Sequence, residues 1–174
     1  MRIALITDTH FGGRGDSPIF SDFIGRFYSE VFFPYLKAND IDTIIHLGDI
    51  VDRRKYISYL SLRKFRDQFI NRVIHANFNL HVIIGNHDTF YKNTNEVNCM
   101  TELFGTNRPD NINWYTGATE VKFGSTNILF VPWMCSDNFD SVIEKIADTD
   151  AQVCFGHLEL AGFEMQKGTV IDHG

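Results

Sequence analysis

Five short apolar runs, each of strand length, limit most strongly how this chain can fold. The runs are RIALIT (2–7), DTIIHL (42–47), LHVII (80–84), TNILFV (126–131) and AQVCF (151–155). Most of them are nearly continuous in hydrophobicity, which is typical of strands that are covered on both faces. The sequence therefore predicts strands buried between other layers of structure.

Amphipathic helices are predicted between these strands. Apolar residues recur at i, i+3, i+4 and i+7 from 20 to 36, after Ser17 as a cap and Pro18 as the first helical residue. The same pattern extends from 58 to 76 and, in a shorter form, from 139 to 147. The irregular segment 91–126 predicts a short helix near 96–103, followed by loops or edge strands. This alternation of strands and helices predicts βαβ units and a largely parallel sheet.

Composition and charge exclude several classes of protein. Hydrophobic residues make up 44% of the 174 residues and charged residues 22%, which predicts one globular domain or part of one. The N-terminal run is too short for a signal peptide or a membrane span, so we expect a cytoplasmic protein with no membrane partner. Cys99, Cys135 and Cys154 have no CxxC spacing, which favours buried or idle thiols. The net charge of −6 argues against coating nucleic acid by bulk charge, although bound cations would offset clustered carboxylates.

Polar side chains follow four of the five strands at the point where each strand ends. In chain order they are Asp8 and His10, Asp49 and Asp52, Asn86, His87 and Asp88, and His157. A glycine directly precedes three of these groups, at positions 48, 85 and 156, where a tight turn or a close backbone approach is needed. Because the carboxyl ends of parallel strands meet at one edge, we expect a single convergent site.

The chemistry of this site is typical of divalent metal ions. Carboxylate, amide and imidazole ligands together suit manganese, iron or zinc better than calcium, and the motifs contain no cysteine for a structural zinc. Two ions would need a shared ligand, for which Asp49 is suited because a carboxylate has two oxygens. His87, beside Asn86, is placed to protonate a leaving oxygen. One such motif alone indicates a turn more often than a ligand, but four in series favour a metal site.

The motifs Asp8-x-His10, Gly48-Asp49-x-x-Asp52, Gly85-Asn86-His87-Asp88 and Gly156-His157 resemble, in this order, the first four motifs of the calcineurin-like metallophosphoesterases. GDIVDRRKY, VIIGNHDTFYKN, VPWMC and GHLELAGF are similar to the nuclease subunits of SbcCD-type complexes, most of all those of T4-like phages. The resemblance covers nearly the whole chain. It implies an α/β fold in which a β-sandwich of two mixed sheets is flanked by helices, in the layer order α/β/β/α. A phage-encoded protein of this kind would act in the host cytoplasm.

The resemblance also implies an activity and a role for each site residue. Asp8 and His10 would bind a first metal, Asn86 and His157 would bind a second metal, and Asp49 would bridge the two. His87 would be the catalytic acid, and Asp88 would orient it. The role of Asp52 stays open. The implied cofactors are two Mn²⁺ ions, with Mg²⁺, Fe²⁺ or Zn²⁺ as alternatives. The implied activity is endo- or exonucleolytic hydrolysis of DNA in recombination and repair, by a homodimer beside an SbcC-type ABC ATPase.

One departure from the family pattern concerns the C-terminal part. The family's fifth motif, Gly-His-x-His, supplies a further ligand to each metal and does not occur in residues 1–174. The resemblance therefore implies that the chain is the N-terminal portion of the nuclease domain, without the DNA-capping domain and the ATPase-docking helices. We expect incomplete metal sites and weak activity for this chain alone, and we do not expect His173 to replace the motif.

A basic stretch follows the second motif. Seven Lys and Arg residues lie between 53 and 72, against the single acid Asp67. We expect Arg53, Arg54 and Lys55 to contact the DNA backbone, and also Arg14, although the solvated face of a helix is an equal alternative. Two other functions stay open, namely hydrolysis of another phosphodiester or phosphomonoester, and a dimerisation or scaffold fragment without activity.

Overall fold

The first sheet is formed by the N-terminal strands and is parallel throughout. The computed structural model describes residues 1–162, 164–166 and 169–170, the last two segments as backbone only. The strands are β1 (Ala4–Ile6), β2 (Thr43–His46), β3 (Asn79–Ile83) and β4 (Ile112–Tyr115), hydrogen-bonded in the order β1-β2-β3-β4. All three neighbouring pairs are parallel, as the strand and helix alternation predicts.

A second sheet contains β5 (Thr119–Phe123), β6 (Thr126–Val131) and β7 (Val153–Gly156). β5 and β6 form an antiparallel hairpin around Gly124, which has a φ of 61°, and β7 pairs parallel to β6. The five strands predicted from the sequence are thus divided between two sheets, because the hairpin gives β6 a partner outside the parallel sheet. β8 (Glu164–Gln166) and β9 (Thr169–Val170) form a separate antiparallel pair.

Two long helices contain a π-helical segment each. The first consists of Pro18–Arg26, the π segment Phe27–Phe32 and Phe33–Ala38, and the second of Tyr59–Phe65, the π segment Arg66–Ile70 and Asn71–His75. Serine hydroxyls cap both N-termini, since Ser17 accepts from the Phe20 N–H and Ser58 from the Ser61 N–H. Shorter helices span Cys99–Phe104 and Phe139–Ala147. Among the described helices, none has the length and apolarity to cross a membrane.

Three hydrophobic clusters hold the layers together. The long helices pack on the parallel sheet through Tyr28, Phe65 and Phe69 against Ile44 and Leu80. The opposite face packs on the second sheet through a cluster containing Ile45, Ile83, Phe123, Ile128 and Phe130. Val142 of the last helix covers Leu129 and Val131 on the outside of the second sheet. Burying each large side chain stabilises the fold by about 1.5–3 kcal/mol, and the layer order is α/β/β/α, as the resemblance implies.

Candidate metal centre

The loops that follow β1 and β2 run side by side and carry three of the predicted ligands. The Asp8 N–H donates to the Gly48 carbonyl at 3.1 Å, and the His10 N–H donates to the Asp49 carbonyl at 3.0 Å. Asp8, His10 and Asp49 have φ values of 52°, 42° and 56°, in the left-handed region. Such a conformation costs on the order of 1–3 kcal/mol per residue and persists only where surrounding contacts enforce it, which is common at functional sites.

Two glycines form the floor beneath these side chains. A Cβ atom at Gly48, where φ is 100°, would lie 2.6 Å from His157 Nδ1. A Cβ atom at Gly85 would collide with the carboxylate and the backbone nitrogen of Asp49. The glycines before the predicted ligands are therefore needed for a close approach of β2, β3 and the loop after β7.

The five predicted ligands lie together, with Asp49 in the middle. His10 Nε2 is 3.5 Å from Asp8 Oδ1 and 3.7 Å from Asp49 Oδ2. On the other side, His157 Nε2 is 3.5 Å from Asp49 Oδ1 and 3.0 Å from Asn86 Oδ1. Each oxygen of the buried Asp49 carboxylate thus faces a different histidine, as a bridging ligand requires.

The ligands on the second side, Asn86, His157 and Asp49 Oδ1, present acceptor atoms to one another. His157 Nδ1 lies 2.8 Å from the Leu47 carbonyl oxygen, so that Nδ1 carries the hydrogen and Nε2 presents a lone pair to Asn86 and Asp49. The Asn86 oxygen consequently faces only acceptors, and turning its amide would place the NH2 group 3.0–3.2 Å from the same atoms. A cation between these acceptors would satisfy all of them at once, so the donor set fits a divalent metal.

The ligands on the first side, Asp8, His10 and Asp49 Oδ2, also fit a metal. What indicates this is the ring nitrogen of His10 that faces away from Asp8 and Asp49. His10 Nδ1 is buried and has no hydrogen-bond partner among the described residues, while Asp52 Oδ1 lies 3.8 Å away. Histidines that bind metals usually donate their other ring N–H to a carboxylate, which fixes the ring. Asp52 therefore stands where it can orient His10.

His87 lies beside the ligands on the first side. Its Nδ1 is 2.6 Å from the Asp52 carbonyl oxygen, its backbone N–H donates to Asp49 Oδ1 at 2.9 Å, and its ring packs edge-on against His10. The side chains of His10, Asp49 and His87 offer ligand atoms that lie within 4.8 Å of one another. The geometry therefore allows His87 either to bind an ion or to move a proton.

Asp88 makes different contacts from those that the resemblance implies. Its buried carboxylate accepts hydrogen bonds from the backbone N–H groups of Asp49, Ile50, Val51 and Gly85. Burial raises the pKa of Asp88 to about 6, although the N–H groups favour the charged form. The His87 ring is held by the Asp52 carbonyl, so the contacts assign Asp88 to the loop that carries Asp49 rather than to His87.

The side chains predicted to contact DNA make contacts with other residues of the protein. Arg53 forms an ion pair with Asp16 at 2.6 Å. The Arg54 guanidinium lies 4.6 Å above the Trp133 ring and donates to the Tyr91 carbonyl. Lys55 lies 5.6 Å from the Phe90 ring, and Arg14 lies 5.0 Å from the Phe20 ring at the start of the first helix. His173 lies outside the described residues.

A buried histidine and a threonine support the first loop, through a contact that no motif in the sequence indicates. His46 accepts from the Gly48 N–H through Nδ1, so its Nε2 hydrogen points to Thr9 Oγ1 at 3.0 Å. Thr9 in turn donates to the Ile50 carbonyl at 3.3 Å. Burial lowers the pKa of His46 to about 3, which keeps the ring neutral. The segment between Asp8 and His10 is thereby tied to β2 and its loop.

Comparison with known proteins agrees with this geometry. The calcineurin-like phosphoesterase family matches residues 1–170. The chain belongs to this family. The phosphoesterase is also similar to exonuclease subunit 1 of Enterobacteria phage T4, with 39% identity over 134 residues. The matched segment covers 77% of this chain and 39% of that relative, so it spans well under half of the relative's length.

Proposed function

We propose that this phosphoesterase is part of a DNA nuclease that hydrolyses phosphodiester bonds with two Mn²⁺ ions, with Mg²⁺, Fe²⁺ or Zn²⁺ as alternatives. The observation that carries the proposal is the position of Asp49, whose two carboxylate oxygens face His10 on one side and His157 on the other. Asp8 and His10 would complete the first position, and Asn86 and His157 the second. When bound, the ions supply Lewis acidity at the phosphate and activate water for attack.

The role of general acid falls to His87. Its Nδ1 hydrogen bond to the Asp52 carbonyl fixes the ring and leaves Nε2 to hold a proton for the leaving oxygen. Asp88 acts through the backbone of residues 49–51, which it holds in place. Asp52 orients His10 from the side away from the metal position.

DNA is the substrate that the surroundings favour. Arg53, Arg54 and Lys55 directly follow the Asp49 loop. Arg53 and Lys55 lie close to the exposed rings of Tyr56 and Phe90, a combination suited to a strand's phosphates and bases. The similarity to a relative named as an exonuclease subunit supports the same substrate class. Arg14 is proposed as a further phosphate contact. Hydrolysis of another phosphodiester or of a phosphomonoester is the alternative.

The proposed assembly is a homodimer that works with an SbcC-type ATPase in recombination and repair. The relative's name describes a subunit, which supports a complex with more than one component. The homodimer is supported by an exposed apolar stripe on the first long helix, formed by Ile19, Phe23, Phe27, Val31 and Tyr35. The domain would be the N-terminal portion of a longer nuclease.

The test separates metal binding from proton transfer in the intact protein. His87→Ala should lower hydrolysis of DNA and of a bis-aryl phosphodiester by about 10² or more, while calorimetric titration with Mn²⁺ stays nearly unchanged. Asp49→Ala should abolish the Mn²⁺ heats, because both ions lose a ligand. The exposed His75→Ala serves as the control and should behave as the wild type.

Three results would count against these assignments. Equal loss of Mn²⁺ binding in His87→Ala and Asp49→Ala would make His87 a ligand. Faster hydrolysis of a small diester with no inhibition by DNA would favour the alternative substrate. Neither Mn²⁺ binding nor hydrolysis in the wild type would identify a scaffold without activity.

A further inference from the structure

A cavity that the metal chemistry does not use shares a wall with the metal centre. It has a volume of about 140 Å³, and it lies between residues 51–57 and 88–103. Asp88 lines it, and the same carboxylate binds the backbone of Asp49 on the other side. An apolar cavity of about 150 Å³ can hold a benzene ring, so this volume suits a single flat ring.

The walls of the cavity are mainly apolar and the mouth is aromatic. Val51, Ile57, Val97 and Leu103 line the interior. Tyr56 and Phe90 border the mouth with 62% and 37% of their surface exposed, although large apolar rings are normally buried. Rings exposed in this way can stack on a flat ligand, with ring centroids about 4.5–7 Å apart.

Cationic side chains make cation–π contacts with these two rings. The Arg53 guanidinium lies 5.2 Å from the Tyr56 ring, and Lys55 Nζ lies 5.6 Å from the Phe90 ring. Asp16 already pairs with Arg53, so the positive charge for a phosphate comes from Lys55 and Arg54, which pair with no carboxylate among the described residues. Glu102 adds a carboxylate that can accept from a base N–H. A flat ring joined to a phosphate matches this distribution of charge and apolar surface.

The aromatic rim is held in place before any ligand binds. The Phe90 N–H donates to the Val97 carbonyl at 2.9 Å, and Arg54 donates to the Tyr91 carbonyl at 3.2 Å. The Phe90 and Tyr91 rings pack edge to face with centroids 4.7 Å apart. Little conformational entropy would be lost on binding, which favours a recognition role over a loose surface loop.

We propose that this cavity binds an unpaired base of the DNA strand, close to the nucleotide whose phosphate lies at the metal centre. The inference rests on the proposed function as a DNA nuclease. Phe90 follows His87 by three residues, so the two Cα atoms are at most about 11 Å apart, within reach of a neighbouring nucleotide. Stacking of one base corresponds to about 5- to 150-fold in affinity and does not depend on base sequence. The nuclease would therefore favour strands with frayed or unpaired bases at the cut.

The experiment compares binding of two fluorescent single-stranded oligonucleotides of equal length, one normal and one abasic, by anisotropy in EDTA. The wild type should bind the normal strand about 10-fold more tightly than the abasic strand. Phe90→Leu and Tyr56→Leu keep the apolar bulk but remove a stacking ring, and each should reduce this ratio toward one with unchanged binding of the abasic strand. Both positions are exposed, so the melting temperature should not change.

Phe139→Leu is the matched control, since Phe139 is 52% exposed on the last helix, away from the cavity. Three results would overturn the proposal. The wild type could bind the normal and abasic strands equally, both cavity variants could keep the wild-type affinity ratio, or Phe139→Leu could lose as much of that ratio as they do. Because no metal is present, failure of base binding is distinguishable from failure of the nuclease function. The latter is read from hydrolysis of the bis-aryl phosphodiester with Mn²⁺.

Discussion

At the residue scale, Asp88 holds the loop that carries Asp49, one of the proposed metal ligands. Four backbone N–H groups converge on its two oxygens, three of them from the consecutive residues 49–51. These three N–H groups lie in the loop of Asp49, whose φ is 56°, and Asp88 is their acceptor. The carboxylate therefore stabilises a loop conformation that the chain would not adopt by itself.

We predict that Asp88→Ala lowers the free energy of unfolding by at least about 3 kcal/mol, because buried N–H groups lose their acceptor at about 1–3 kcal/mol each. Urea unfolding at neutral pH measures this. Asp67→Ala is the control, since its side chain is 57% exposed and its loss should cost below about 0.5 kcal/mol. If Asp88→Ala unfolds at the same urea concentration as the control but hydrolyses slowly, Asp88 acts on His87 after all.

At the scale of elements, Asp16 connects the loop after β1 to the start of the second long helix. Its carboxylate accepts from the hydroxyls of Ser58 and Ser61 and from Arg53. Ser58 is also the N-cap of that helix, so Asp16 connects the loop after β1 to the residue at which the helix begins. The hydroxyls of Ser61 and Ser58 hold the pKa of Asp16 below its ordinary value, and Arg53 adds to this shift.

We predict that Asp16→Asn lowers the free energy of unfolding by about 1–2 kcal/mol at neutral pH, because charge-assisted hydrogen bonds are weakened. Since the pKa of Asp16 is lower in the folded state, the stabilisation is present above the ordinary pKa and is lost as the pH falls through the folded value. The difference from the wild type should therefore shrink below about pH 4. Chemical unfolding across a pH series measures it, with Asp22→Asn, 63% exposed, as the control. A difference that grows on acidification would contradict this account.

At the scale of the whole molecule, the first long helix presents one continuous apolar face to solvent. The exposed residues recur every four positions from Ile19 to Tyr35. In a regular α-helix this spacing would drift by about 40° per step. The π segment Phe27–Phe32 has wider turns, which reduces the total drift because the step from Phe27 to Val31 lies within it. A continuous face of this kind is suited to pairing with a second copy of itself.

We predict that Phe23→Asp raises the dimer dissociation constant by about 10³-fold. In a two-fold interface each substitution acts twice, and each removes about 1.5–3 kcal/mol of apolar burial. Sedimentation velocity over a range of protein concentrations measures the change. Phe139→Asp, on the last helix, should leave the dimer intact. A wild type that stays monomeric at high micromolar concentration would refute the homodimer.

The sequence by itself determined the five strands β1, β2, β3, β6 and β7, the two long helices and the polar groups at the strand ends. It did so because burial periodicity and turn residues are local properties of the chain. The gathering of Asp8, His10, Asp49 and Asn86 also followed, since their strands are parallel neighbours in one sheet, whereas His157 reaches the site from the second sheet. The family motifs added the layer order, which the structure confirms.

Only the tertiary structure decided which groups these side chains contact. The division of the strands into two sheets depends on a hairpin pairing between β5 and β6 that competes with pairing to β3 or β4. The contacts of Asp88 with residues 49–51, the ion pair of Arg53 with Asp16, and the aromatic cavity join residues about 30 or more positions apart. Such contacts depend on how the layers pack, and no local pattern in the sequence encodes a specific partner at that distance.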